Sequence, residues 1–488
     1  MSFISAASKI LLRKELVNMA QEKKTEAALL KEKLLVKKQS GIRKLNREEI
    51  EKADEFCKGY VEFLDSSKTE REAVTYTIKA AENAGFTEYD RTKSYKPGDR
   101  VYVNNRNKAL MLCVIGKQGT KNGVKLGIAH IDSPRLDLKP NPLYESSDLA
   151  LFKTHYYGGI KKYQWTAVPL ALHGVVALKD GTVRDVYIGD DESDPCFVVT
   201  DLLPHLANEQ MTQTMVKAFN GEHLNVLIGS RPFNEDEESE SVKLNIMNIL
   251  FEKYGITEAD FISADLTMVP AAKARDVGFD RSMIGAYGHD DKVCAYPAVM
   301  AAIDVKDPEQ TVISVLTDRE EIGSDGNTGM KSSYLADFIA DLAEADGVKL
   351  RHVMEKSTCL SADVNAAFDP TYASAYEANN ACYINGGAVI TKYTGSGGKY
   401  STSDASAEFM AKVRRILDDA DVLWQTGELG KVDGGGGGTI AKFIANLNAD
   451  VVDLGVPVLS MHAPFEIVSK TDVYETYRAL LEFYSINN

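Results

Sequence analysis

Short apolar runs that each end in acids or a histidine constrain this chain more than any other feature. In Val312-Ile-Ser-Val-Leu-Thr-Asp-Arg-Glu-Glu-Ile-Gly-Ser324 the β-branched run predicts a buried strand, and it hands off at once into Asp318, Arg319, Glu320 and Glu321. From about residue 262 strand-like runs alternate with helical ones, through TVISVL, YLADFIADLAEA, HVMEKSTCLSA and SDASAEFMAKVRRILDDA. The closing part carries VPVLSMH and a helix introduced by Ser469-Lys-Thr-Asp472, which has capping-box spacing. This order predicts an α/β fold with a mixed central sheet sandwiched by helices.

The middle of the chain breaks that order. Residues 46–85 read as helical, and a strand-rich stretch runs from Arg100 to about Leu138. Residues 145–235 then show short alternating segments such as GVVALKDGTVRDVYIGD and little helical period. The expected organisation is a basic helical N-terminal extension over 1–45, an α/β domain over 46–142 and 262–488, and an inserted β-rich domain over 143–261. Residues 1–50 hold twelve Lys and Arg against six acids, which reads as solvated helices or a partner-binding arm.

Charge and cysteine usage narrow the class. The 488 residues allow two or three domains, and a net charge of −15 argues against general nucleic-acid binding. No apolar run of 18 residues suggests a membrane span, and the N-terminus lacks the pattern of a secretory signal. Six scattered cysteines without paired spacing fit small buried hydrophobes in a reducing compartment, so a cytoplasmic location is expected.

Five segments place metal-ligand residue types at the ends of apolar runs. LGIAHIDSP offers His130 and Asp132, which point the same way in an extended chain. GHDDK offers Asp290 and Asp291 at a helix entry; the hand-off above offers Glu320 and Glu321; CLSADV offers Asp363; VPVLSMH offers His462. Each alone is more often a structural or solvated residue, and an acidic pair at a helix start is favoured by the dipole. Open α/β sheets bind ligands beyond the carboxyl ends of their strands, so the five ends offer one crevice. Two histidines with three or four carboxylates suit zinc or a similar divalent ion. Five ligands serve two metals if one carboxylate bridges, and hydrolysis then needs a base near the metals but not on them.

HIDSPRLDLKP, GHDDK, TDREEIGS, SADVNAAFDP and MHAPFEI, in this order, resemble the M18 metalloaminopeptidases, within the wider clan of co-catalytic dizinc exopeptidases. The resemblance runs from about residue 50 and includes the YGGI and LALHGVV segments. It implies two divalent metals, zinc foremost, with manganese or cobalt also suited. It implies His130 as a terminal ligand of the first metal, Asp132 as its orienting carboxylate, and Asp290 as the bridge. Glu320 is then the general base, Glu321 a terminal ligand of the second metal, Asp363 the residue completing the first site and His462 the second. Lys392 matches a family lysine near the substrate. The implied activity is removal of the N-terminal residue from peptides, and the implied partners are peptides and further copies of the chain, with dimers building a tetrahedral dodecamer through the inserted domain.

The chain departs from the family pattern in places that bear on specificity. Ala366 and Asp369 stand where histidines are usual, Ala463 and Phe465 replace Ser and Arg, and Tyr163 stands where a histidine would reach a neighbouring subunit's active site. Gly434 to Gly438 lacks the Lys and Ser/Thr of a phosphate loop and reads as a tight backbone approach. His289, His155, His173, His205, His223 and His352 read as structural. A non-catalytic assembly or cargo protein on the same fold would be expected to lose Glu320 or a ligand, and none is missing. A deacylase or carboxypeptidase of the same clan fits the HIDSP context and the insertion less well.

Overall fold

Val124–His130 and Thr311–Thr317 carry apolar runs, and every residue in both is buried. A strand covered on both faces needs such a run, and these two lie parallel at the centre of a nine-stranded sheet. The structure, a computed structural model, describes residues 25–36, 40–234 and 239–486. Residues 1–24 of the basic extension lie outside the described residues, and a helix over Glu26–Leu34 lies within them.

Across the sheet the strands run Thr87–Glu88, Arg100–Asn105, Ala109–Val114, Thr311–Thr317, Val124–His130, Thr358–Ser361, Asp450–Gly455, Ala388–Thr391 and Trp424–Thr426. The middle four are mutually parallel, while Ala109–Val114 and Ala388–Thr391 join them antiparallel. Alternation sorts the two faces: Val312 and Leu316 enter one core with the helices Arg47–Asp65, His289–Asp304 and Lys470–Ser485. Ile313 and Val315 enter the other, with Tyr334–Ala345. Burying one such aliphatic side chain contributes roughly 1.5–3 kcal/mol, which fixes the register.

The helical stretch 46–85 resolves into Arg47–Asp65 and Glu70–Asn83, each opened by a capping box, Asn46 with Glu49 and Thr69 with Glu72. The spacing at Ser469 does not deliver one. Lys470–Ser485 starts there, but the Ser469 hydroxyl bonds Asn385 Oδ1 at 2.6 Å, while Asp472 accepts the amides of Asn385 and Gly387 at 2.7 Å each. A loop amide near a buried carboxylate outcompetes the local cap.

A second sheet of seven strands is antiparallel throughout: Val183–Ile188, Leu170–Ala177, Ala264–Pro270, Arg135–Ser146, Leu149–Tyr157, Val226–Gly229 and Val198–Val199. It draws strands from both sides of the 143–261 span and has its own core around Trp165. A five-stranded sheet, Arg275–Val277, Met283–Ala286, Glu466–Ser469, Pro457–Leu459 and Asn365–Ala366, packs beside the main sheet. Among the described residues no helix is long and apolar enough to cross a membrane. All six cysteines are unbonded, and only Cys196 is exposed.

Candidate metal centre

Thr317 and His130 are register partners, so their two strands end together and deliver their following residues to one place. Arg319 takes a left-handed conformation (φ 66°), and the short 3₁₀ turn Glu320–Ile322 follows it. That turn aims the amides of Glu320 and Glu321 at Asp132, at 3.1 and 3.2 Å. Asp363 lies two residues beyond Thr358–Ser361, the next strand in the sheet. A Cβ on Gly455 would stand 1.9 Å from the Asp363 carbonyl, so only glycine lets the adjacent strand pass this close.

Asp290 stands between the two histidines. Its Oδ1 is 3.1 Å from His130 Nε2 and its Oδ2 is 3.1 Å from His462 Nε2. His462 Nε2 is also 3.4 Å from Glu321 Oε1. Asp290 and Asp291 sit at a non-helical entry to the helix His289–Asp304 rather than on its first regular turn, and Lys292 begins the regular run. Both are almost wholly buried, so neither serves as a solvated dipole charge. His462 is itself left-handed (φ 64°), and such conformations persist where surrounding contacts over-determine them.

Two groups of ligand atoms gather within 4.8 Å of one another: His130, Asp290 and Glu321 in one, His130, Asp291 and Asp363 in the other. Asp291 Oδ1 is buried with no hydrogen-bond partner, and Asp290 Oδ1 and Glu321 Oε1, though 3.1 and 3.4 Å from imidazole Nε2 atoms, receive no aligned hydrogen bond. Orphaned carboxylate oxygens in a buried site cost several kcal/mol unless a cation meets them. The buried lysine nearby, Lys292, is turned to Ser133 Oγ at 2.7 Å. The donor set therefore fits divalent metal ions. Burial pushes the Glu320 carboxyl up to about 7 against the pull of the His130 imidazole.

Asp132 accepts the Tyr157 hydroxyl at 2.8 Å, and His130 Nδ1 is 3.3 Å from its Oδ1. Lys392 is not in the ligand cluster; its Nζ is 2.6 Å from Asp404 Oδ1. His289 is held by Tyr60 Oη at 2.6 Å and the Ile284 carbonyl at 3.1 Å, and burial drives its imidazole down to about 3. Gly436 and Gly437 pair with Ser396 and Gly395, the tight backbone approach that the glycine run predicts. Sequence reasoning passed over Asp291 as a partner of His130 and Asp363. It also passed over Glu466, which accepts the amides of Asp290 (3.1 Å) and His462 (2.7 Å).

Imidazoles and carboxylates gathered from the carboxyl ends of the central parallel strands and from the neighbouring five-stranded sheet define a metal-dependent hydrolase. The profile of the family described as Aminopeptidase I zinc metalloprotease (M18) matches residues 63–484. A probable M18 family aminopeptidase 1 of Clostridium acetobutylicum is 51% identical over 434 residues, covering 87% of this chain and 93% of that one. The crystal structure of aminopeptidase I from the same organism superposes with a TM-score of 0.88 at 48% identity, covering 93% of this chain and all of that one. The crystal structure of an M18 family aminopeptidase from Thermotoga maritima gives 0.88 at 44% identity, covering 92% and 99%. The chain belongs to the M18 family and is a zinc metalloaminopeptidase.

Proposed function

We propose that His130, Asp290, Glu321, Asp363 and His462 hold two divalent metal ions, with Asp291 beside the first, and that Glu320 is the general base in releasing N-terminal residues from peptides. The position of Asp290, with one carboxylate oxygen 3.1 Å from each imidazole, carries this reading. Bound there, two divalent ions supply Lewis acidity and lower the pKa of water. The chain's own groups do the rest. Asp132 orients His130 and, by holding the amides of Glu320 and Glu321, fixes the turn that presents both side chains. Glu320 takes a proton from the attacking water at its carboxylate and returns it to the leaving amine nitrogen. The surrounding carboxylates bind the substrate's free α-amine, which restricts cleavage to the first residue. Lys392, just past the end of Ala388–Thr391, lies near the substrate.

The same reading extends to assembly and location. The short helical turns over 204–218 expose the apolar side chains of Leu206, Met211, Met215 and Val216, which support homo-dimers and from them a dodecamer. Unbonded, mostly buried cysteines support a cytoplasmic site of action. A panel of amino-acid p-nitroanilides, comparing Asp and Glu with Leu and Met under zinc, manganese and cobalt, tests the activity, the metal and the specificity together. Absence of chelator-sensitive cleavage of any member would sink the metal reading.

A further inference from the structure

The second sheet does not stop short of the metal centre. Leu149–Tyr157 runs out into Gly158 and Gly159, and three consecutive residues meet the site. Tyr157 Oη donates to Asp132 Oδ2 at 2.8 Å. Gly158, left-handed at φ 75°, lies where a Cβ would be 3.2 Å from Glu321 Oε2 and 3.3 Å from Pro134. The Gly159 carbonyl accepts from His462 Nδ1 at 2.8 Å.

These contacts converge on the two imidazoles. Each histidine presents Nε2 to Asp290, so its orientation is set at Nδ1. For His462 that partner is Gly159 itself. For His130 Nδ1 the partners are both on Asp132, the carbonyl at 3.0 Å and Oδ1 at 3.3 Å, and the far oxygen of that carboxylate is held by Tyr157. Tyr157 is fixed in turn, because the Arg135 guanidinium covers its ring at 4.3 Å while bonding Glu70 of the helix Glu70–Asn83 at 2.7 Å.

We propose that Tyr157-Gly158-Gly159 is a positioning element of the metal centre, through which the seven-stranded unit sets the affinity for divalent ions. Tyr157 acts on the His130 side through Asp132, and Gly159 acts on the His462 side directly. The proposal rests on reading His130 and His462 as ligands. Partners of this kind, acting through a ligand, typically change metal affinity 10–100-fold.

The test is a titration of metal-free protein with Zn²⁺ against a chromophoric chelator, with Co²⁺ absorption as the spectroscopic readout. Tyr157→Phe keeps the ring and its contact with Arg135 and removes only the hydroxyl. It is expected to weaken one Zn²⁺ roughly 10–100-fold and alter the Co²⁺ bands while the metal-free protein unfolds as wild type. Gly158→Ala is expected to weaken binding through Glu321, and it decides the matter should Tyr157→Phe fail to fold. His130→Ala and His462→Ala run alongside and should each lose a tight ion. If they keep both, the ligand reading falls. If they lose one while Tyr157→Phe and Gly158→Ala bind two ions with wild-type affinity, the positioning role alone is overturned. Lowered stability of metal-free Tyr157→Phe with unchanged affinity also overturns it.

Discussion

The backbone amide of His462 donates a 2.7 Å hydrogen bond to the carboxylate of Glu466, four residues further on. The other oxygen of that carboxylate takes the amide of Asp290 at 3.1 Å, so one buried acid ties together two segments 172 residues apart in sequence (462 − 290). Glu466→Ala leaves both buried donors unmet, at about 1–3 kcal/mol each. Urea unfolding of the metal-free protein should show that loss, with Glu466→Gln intermediate because one carbonyl oxygen remains.

Glu320 and Glu321 are adjacent, and both amides rest on Asp132, yet only the Glu321 carboxylate approaches His462. Glu320→Gln is expected to lower kcat by about 10²–10⁴, the range of general acid–base catalysis, with metal content unchanged. Glu321→Gln should lose metal as well as activity. Elemental analysis of the two purified variants separates them, and equal metal loss in both would refute the division of roles.

Chelation should abolish activity and lower the unfolding temperature, since an ion that binds only the folded state stabilises it by about 4 kcal/mol at a thousand times its Kd. Differential scanning calorimetry with and without EDTA, followed by Zn²⁺, Mn²⁺ or Co²⁺ add-back, measures both. An unfolding temperature indifferent to chelator would contradict metal binding at Asp290, Asp291 and Glu321.

His173 joins the second sheet to the helix Glu70–Asn83, with Nδ1 3.0 Å from Glu72 and Nε2 3.0 Å from Asp190, which also takes Lys68 at 3.1 Å. Burial opposes its protonation, but the two carboxylates prevail and raise it to about 9. A raised histidine stabilises the fold fully below its unfolded value of 6.5, and that contribution fades as pH climbs through 9. At the free-energy equivalent of a pKa unit the contribution is on the order of 3 kcal/mol. Denaturant melts from pH 6 to 10 should show wild type losing stability over that window, and His173→Gln should flatten the dependence.

The parts legible in the sequence are those whose chemistry resides in side-chain type and local period. Val312 to Thr317 announces a doubly covered strand, and the acids and histidines at strand ends announce their crevice, because both signals lie within a few residues. Asp291 was legible only as half of an acidic pair, since helix-start acids are common and nothing local marks this entry as non-helical. Gly159 was not legible at all: it acts through a carbonyl, which every residue has, on a histidine 303 positions away. Asp472 misled for a related reason, as its distant partners at Asn385 and Gly387 carry no pattern that points to it.

The order of strands across the main sheet has a consequence for synthesis. Asp450–Gly455 is among the last strands to be made, yet it seats between Thr358–Ser361 and Ala388–Thr391, and His462 follows it. A chain emerging from the ribosome therefore carries His130, Asp290 and Glu321 long before it can close the gap between those strands or supply the second imidazole. On the proposed ligand set, a chain that ends before His462 lacks one imidazole of the centre and the helix Lys470–Ser485, so cleavage is expected only once the C-terminal elements are in place.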